Sequence, residues 1–319
     1  KNMNIKIKEI FTKLLQKNNY LFENLTIEPT FNCNYKCRHC FRTNNKYPNF
    51  FDLKKIETNL FHKRIHFKNF NIGGCGDCFS LPNINELFKY AKLHSETTST
   101  LTHGLNLQLF LEEIVKNELL TTIIISMEGI REETYEKVRG KNNYNKIMNN
   151  IELLNQLKKK YSTDFPKLNI CYTCLKSNID DLQSLILFCV DNKINHIRIQ
   201  LLTIDDDFVK KYPEKLCHSG ELIDMTNDNV KKIFLKIIEE APKYNISLEL
   251  AENIKNNIID PQKRDENIKI TNNKYCDFLL QTIWINYEGH ITPCSCVSGI
   301  NLGNIYKTKL IDIIESKKY

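Results

Sequence analysis

Cys33-Asn34-Tyr35-Lys36-Cys37-Arg38-His39-Cys40 is the stretch on which the reading of this chain turns. Its three cysteines are spaced C-x3-C-x2-C. Three thiolates in one short loop can grip one face of a 4Fe-4S cube, which leaves the fourth iron without a protein ligand and open to chemistry. Two other readings compete. A structural zinc site takes four ligands from two knuckles. No second knuckle lies nearby in sequence, although His39 is at hand as a further ligand. A disulfide framework fits poorly with three cysteines. The spacing favours the cluster.

The segments around the loop place it in a fold. Leu25 to Thr30 reads as a short strand running into it, and from there strand and helix alternate. Helical spacing covers Leu53–Arg64, Ile84–Leu93, Leu109–Val115, Tyr144–Lys160 and Leu182–Val190. Strand patterns cover Phe67–Ile72, Thr97–Thr102, Leu120–Met127, Leu168–Leu175 and Ile197–Leu202. The run Ile123-Ile124-Ile125 suits a strand covered on both faces. This alternation predicts an α/β fold, a parallel sheet curled into a partial (β/α)6 barrel with right-handed crossovers. Its chemistry belongs at the carboxyl ends of the strands.

After residue 202 the pattern loosens. Asp205-Asp206-Asp207 reads as a solvated turn, Val230–Ile238 as an amphipathic helix, Ile246–Leu250 as a strand and 251–274 as a polar linker. Ile283 to Thr292 reads as a hairpin turning at Glu288-Gly289, with Cys276 before it and Cys294 and Cys296 after it. A short helix covers Lys309–Ser316. Four segments result: an N-terminal helix and connector (1–24), the barrel (25–215), a helical bridge and linker (216–274) and a small α+β module with the hairpin (275–319).

Composition bounds the function. The 319 residues are 41% hydrophobic and 26% charged, enough for one large core and an annex. Net charge is +7, from 45 basic and 38 acidic residues, without a dense Lys/Arg run, so nucleic acid is not the expected partner. No signal peptide or membrane-spanning apolar run is read, so a reducing cytoplasm is expected. There the 12 cysteines, clustered in short spacings, act as ligands more often than as disulfides.

With these residues in place, the chain resembles the radical S-adenosylmethionine (radical SAM) superfamily, whose signature is a C-x3-C-x2-C loop after the first barrel strand. The resemblance implies that Cys33, Cys37 and Cys40 hold the 4Fe-4S cluster and that its open iron binds the amino and carboxylate groups of SAM. One electron then cleaves the sulfonium to a 5′-deoxyadenosyl radical, which abstracts a hydrogen atom. His39 stands where the family usually has an aromatic residue. Gly74-Cys75-Gly76-Asp77 matches the glycine loop ending the second strand. There glycine permits close backbone approach and the acid, Asp77 in place of the usual Glu, accepts from the SAM ammonium. Thr102-His103-Gly104 lies where the family has Thr-Asn-Gly, and Ser126-Met127-Glu128-Gly129 resembles Ser-x-Asp-Gly, with Ser126 on the ribose and Glu128 facing ribose or substrate. Arg139-Gly140 matches the peptide-modifying branch, and Arg139 pairs with the SAM carboxylate there. Asn178 matches as well, and Gln200 and Leu202 fall near adenine.

The C-terminal segment resembles the twitch or SPASM annex of the same superfamily, through Cys276, Gly289 and Cys294 followed by Leu302-Gly303-Asn304-Ile305. The implied auxiliary 4Fe-4S cluster takes Cys276 and Cys294, with Cys296 nearby and Cys217 as a distant fourth thiolate. Cys75, Cys78 and Cys217 are candidate hydrogen-atom donors to a substrate radical. Cys171 and Cys174 sit three apart on a strand, face opposite sides and read as small buried groups, as does Cys189 on a helix.

The leading functional expectation is a radical SAM enzyme that modifies a peptide by crosslinking, epimerisation or dehydrogenation, as in maturation of a ribosomally made natural product. Its electrons would come from a flavodoxin or ferredoxin. The alternative keeps the radical chemistry but oxidises a small molecule such as an aminocyclitol. A non-catalytic zinc or redox-sensing protein explains the cysteines but not the glycine loop, Ser126 or Arg139. Neither a nucleic acid nor a membrane is expected as a partner.

Overall fold

Apolar residues recurring at strand and helix periods build one sheet with helices against it. The computed structural model describes residues 20–37, 39–40, 42, 51–140, 143–202, 220–258, 281–292, 300–316 and 319. The expected helix before residue 20 and the Asp205-Asp206-Asp207 turn lie outside them.

Seven strands run parallel in chain order: β1 (Tyr20–Ile27), β2 (Ile65–Ile72), β3 (Ser95–Thr102), β4 (Thr122–Ser126), β5 (Lys167–Cys174), β6 (His196–Leu201) and β7 (Ser247–Leu250). Among the described residues the helices are α1 (Leu53–Leu60), α2 (Ile84–His94), α3 (Leu111–Lys116), α4 (Glu132–Arg139), α5 (Tyr144–Lys160), α6 (Leu182–Asp191), α7 (Asp228–Glu240), α8 (Glu252–Ile258) and α9 (Leu310–Ile314). Asp52 starts α1 by accepting from the Lys55 amide at 3.1 Å, which satisfies one of the unpaired first-turn donors. On α5 Ile147, Ile151, Leu154 and Leu157 are buried at helical spacing against the core. Asn150 on the same helix donates to the Gly104 carbonyl at 2.8 Å and so holds the turn after β3.

β3 is nearly all Ser and Thr, yet three of its hydroxyls are buried. Each has a partner: Thr98 Oγ1 donates to the Leu119 carbonyl, Thr100 Oγ1 to the Ile72 carbonyl and Thr102 Oγ1 to Asp77.

The annex completes the sheet. β8 (Thr282–Ile285) pairs in parallel with β1, and β9 (His290–Thr292) and β10 (Gly303–Asn304) follow antiparallel, giving the order β10-β9-β8-β1-β2-β3-β4-β5-β6-β7. The hairpin turns at Gly289, whose φ of 80° is left-handed. The Glu28 amide donates to the Ile285 carbonyl at 2.9 Å, so β8 ends beside the entrance to the cysteine loop.

Four expectations are corrected. The first strand starts at Tyr20, not Leu25. The stretch from 251 is not all linker, because α8 forms directly after β7 with Ile254 buried. The Arg139 motif is the last turn of a helix, α4, that apolar spacing did not mark. Cys171 is not simply core; it faces the cavity described next.

Candidate active site

The carboxyl ends of β1–β7 surround one cavity of about 500 Å³. Its wall includes Cys33, Cys37, Cys40 and Cys75, and also Gly74, Gly76, Asp77, Thr102, Ser126, Glu128, Arg139, Gln200 and Leu202. The residues expected to meet SAM therefore line one cavity. Cys78 does not. Its side chain is fully buried behind the glycine loop, with Sγ 3.1 Å from Thr100 Oγ1, so it has no path to a ligand. Cys217, Cys276, Cys294 and Cys296 lie outside the described residues.

The cysteine loop is pinned from several directions. Its start is fixed by Thr30 Oγ1, which accepts from the Asn32 amide at 3.0 Å, and by Asn32, whose carbonyl accepts from the Asp77 amide at 2.9 Å. Arg42 Nε donates to the Phe31 carbonyl at 2.9 Å. Tyr35 stacks edge-on against His103, with centroids 4.3 Å apart, and its hydroxyl lies 3.0 Å from that of Tyr135. Each sulfur has an N–H donor: the Tyr35 amide on Cys33 at 3.4 Å, the Arg42 amide on Cys40 at 3.5 Å, and Arg139 Nη1 on Cys37 at 3.5 Å. Burial pushes the Cys37 thiol up to about 11, against the pull of Arg139. Metal loading must therefore displace protons from this loop.

The glycines serve the loop as much as any ligand. A Cβ on Gly76 would lie 2.3 Å from the Thr30 carbonyl oxygen and 2.7 Å from that of Asn32. A Cβ on Gly74 would meet Glu28 Cγ at 2.3 Å. The missing side chains let the β2 turn close against the backbone that carries the cysteines.

Asp77 and Arg139, read as ligand contacts, are already engaged by the protein. Asp77 is buried and accepts from Thr102 Oγ1 at 2.7 Å, from the His103 amide at 2.9 Å and from the Phe79 amide at 3.0 Å. It ties the β2 turn to the end of β3. His103 Nε2 lies 3.3 Å from Asp77 Oδ2 while its Nδ1 accepts from the Leu105 amide at 3.0 Å. Burial, opposed by Asp77, pushes the His103 ring down to about 4, so it is neutral at pH 7. Arg139 Nε donates to Glu128, and both side chains are almost wholly buried. Burial alone would raise the Glu128 carboxyl, but Arg139 and His39 hold it below its ordinary value. Asn178 donates to the carbonyls of Glu128 and Thr173 at 3.0 Å each, and so sets the spacing of the β4 and β5 ends.

Sequence reasoning missed several members of the wall. Ala251 precedes α8 and Asn253 lies in its first turn, and Cys171 and Thr173 come from alternate positions of β5. The period of two on β5, already used to separate Cys171 from Cys174, would have placed Thr173 beside Cys171. Behind the wall, Glu28 is buried, accepts from Cys75 Sγ at 3.5 Å and bonds the Trp284 side chain of β8. Burial raises its carboxyl.

The residues present fit an iron-sulfur cube. The three thiols line one cavity, each with an N–H on its sulfur, as cluster thiolates ordinarily have. Among the described residues no group of three His, Cys, Asp or Glu side chains is set to hold a single metal ion. A cube differs from that case because it spreads its thiolates over separate irons.

Iron-sulfur chemistry at the carboxyl ends of an open parallel sheet is the class this arrangement defines. The chain belongs to the radical SAM superfamily, whose family model matches residues 27–189. Residues 276–319 match SPASM, an iron-sulfur cluster-binding domain. The protein is thus an enzyme dependent on a 4Fe-4S cluster and SAM, with an auxiliary cluster in its C-terminal region. Its reading as a non-catalytic zinc or redox-sensing protein falls with that assignment. The chain is similar in fold to SuiB of Streptococcus suis bound to S-adenosylmethionine, with a TM-score of 0.67 and 16% identity over 97% of this chain and 69% of that one. SuiB bound to the precursor peptide SuiA gives 0.66 and 17% over 97% and 68%. Native anSMEcpe with bound AdoMet gives 0.57 and 17% over 93% and 81%. No curated protein matches by sequence. Among the described residues no helix is long and apolar enough to cross a membrane.

Proposed function

We propose that this enzyme uses radical SAM chemistry to modify a peptide. The observation that carries the reading is the similarity, across 97% of the chain, to SuiB holding its precursor peptide SuiA. The similarity to anSMEcpe with bound peptides supports it as well. The Arg139-Gly140 motif of the peptide-modifying branch points the same way. Cys33, Cys37 and Cys40 would hold the cluster, which would supply the single electron for reductive cleavage of SAM.

The chain's own residues do the rest. Gly74 and Gly76 let the β2 turn lie against the cysteine loop, and Asp77 and Thr102 lock that turn to β3. Ser126, Gln200 and Leu202 present a neutral wall to the nucleoside. Arg139 and Glu128 place a charge pair where the amino-acid end of SAM meets the loop. Cys75, at the cavity surface beside Glu28, is the candidate hydrogen donor within reach of a substrate. Cys276, Cys294 and Cys296 are the candidate ligands of the auxiliary cluster, and Cys217 a further one. On this reading residues 25–215 generate the radical, 216–274 bridge, and 275–319 carry the auxiliary cluster. A flavodoxin or ferredoxin supplies the electrons.

The test is to incubate reconstituted enzyme with SAM, dithionite and a panel of candidate precursor peptides. A mass change in one peptide, with deuterium moving from that labelled peptide into 5′-deoxyadenosine, is the expected result. Transfer from an aminocyclitol, and from no peptide, would favour the small-molecule alternative instead.

A further inference from the structure

Glu128 reaches two points of the cysteine loop at once. Its Oε2 accepts from Arg139 Nε, and Arg139 Nη1 donates to Cys37 Sγ at 3.5 Å. Its Oε1 lies 3.9 Å from His39 Nε2, next to Cys40. Thr173 on β5 also bonds the carboxylate, and Asn178 fixes its backbone. The pair is buried, at 1% exposure for Glu128 and 7% for Arg139. A guanidinium does not lose its proton in such a place. A fixed positive charge on a cluster sulfur favours the state with one more electron, because potential follows local charge and hydrogen bonds to sulfur. A negative charge behind it partly offsets that effect.

We propose that Glu128 and Arg139 are positioning residues that set the reduction potential of the cluster on Cys33, Cys37 and Cys40. Arg139 acts through Cys37 Sγ to ease entry of the single electron, delivered by a low-potential donor such as dithionite. Glu128 aims Arg139 and limits its effect. This role is distinct from contact with SAM or substrate. It rests on the family assignment and not on which substrate the enzyme takes.

The test is an EPR-monitored redox titration of the reconstituted holoenzyme without SAM or peptide. The relevant signal is the one missing from the Cys33→Ala/Cys37→Ala/Cys40→Ala variant. Arg139→Gln removes the positive charge and is expected to move the midpoint to more negative potential. Glu128→Gln keeps an acceptor for Arg139 but removes the offsetting charge, and is expected to move the midpoint the opposite way. Shifts of the same sign, or no shift in either variant, overturn the proposal, since loosening of the loop alone gives no opposed pair. Should either glutamine variant fail to hold the cluster, Arg139→Lys supplies the reading. Lysine keeps the charge without the fork and is expected between wild type and a more negative value; a midpoint equal to wild type overturns the proposal. None of these outcomes depends on a peptide, so failure here leaves the peptide reading standing.

Discussion

The two walls of the cavity differ in kind. The wall built from β1–β4 carries Arg42, Asp77, His103, Glu128 and Arg139, which are buried and cross-braced. The wall built from β5–β7 presents Cys171, Thr173, Gln200, Leu201, Leu202, Ala251 and Asn253, with no charged side chain among them. On the proposed reading the first wall holds a charged cluster and the zwitterionic end of SAM, and each buried charge there needs a partner. On the same reading the second meets a nucleoside and a substrate residue, which are held by shape and a few hydrogen bonds, so it can be neutral.

If the comparison holds, changes to the first wall cost the cluster and the fold, while changes to the second cost only turnover. The largest effect is expected from Cys33→Ala, which removes one of the three thiolates and should abolish SAM cleavage, measured as 5′-deoxyadenosine formed with dithionite. Next is Gly76→Ala, whose new Cβ meets backbone rather than a flexible side chain. It should lower stability by roughly 2–4 kcal/mol and reduce iron loading, read by thermal melts and iron assay. Asp77→Ala strands the donors of Thr102, His103 and Phe79, and should cost about 2–3 kcal/mol in the same melts.

His103 gives a pH signature for the first wall. Its ring is held down to about 4 in the fold against an ordinary 6.5. The unfolded chain therefore takes up a proton that the folded one refuses as pH falls from 6.5 towards 4. This contribution is full above 6.5 and is lost progressively below it, on the order of 3 kcal/mol across the window. Melting temperatures from pH 7 to 4 should fall more steeply for wild type than for His103→Asn; equal slopes would contradict the account. The smallest effects belong to the second wall. Gln200→Ala and Asn253→Ala should leave iron content unchanged and stability within about 1 kcal/mol, while turnover falls. A large stability loss there would erase the contrast between the walls.

The same contrast governs what could be read from sequence. The first wall is carried by short local patterns: cysteines within eight residues, glycines at a strand end and the Arg139-Gly140 pair. The strands from β2 to β6 were legible for different reasons: apolar residues recur along β2, β5 and β6, β4 carries the unbroken run Ile123-Ile124-Ile125, and β3 is rich in β-branched threonine. What escaped is tertiary. Nothing local says that β8 pairs with β1 or that β7 adds to β6, because pairing partners are chosen by the assembled sheet. α4 and α8 are too polar for their spacing to show, with Ile254 the buried anchor of α8. Glu128 and Arg139 were each assigned to a ligand, and only their geometry shows that they meet each other. Glycine at position 76 was legible as a close approach, but what approaches is the cysteine loop itself.

The central claim is that Cys33, Cys37 and Cys40 hold a radical-generating cluster apart from an auxiliary one. Anaerobic iron and sulfide counts after reconstitution, on this protein and on the Cys33→Ala/Cys37→Ala/Cys40→Ala variant, test it most directly. The account predicts about eight irons falling to about four. An iron content that the triple substitution leaves unchanged would contradict it.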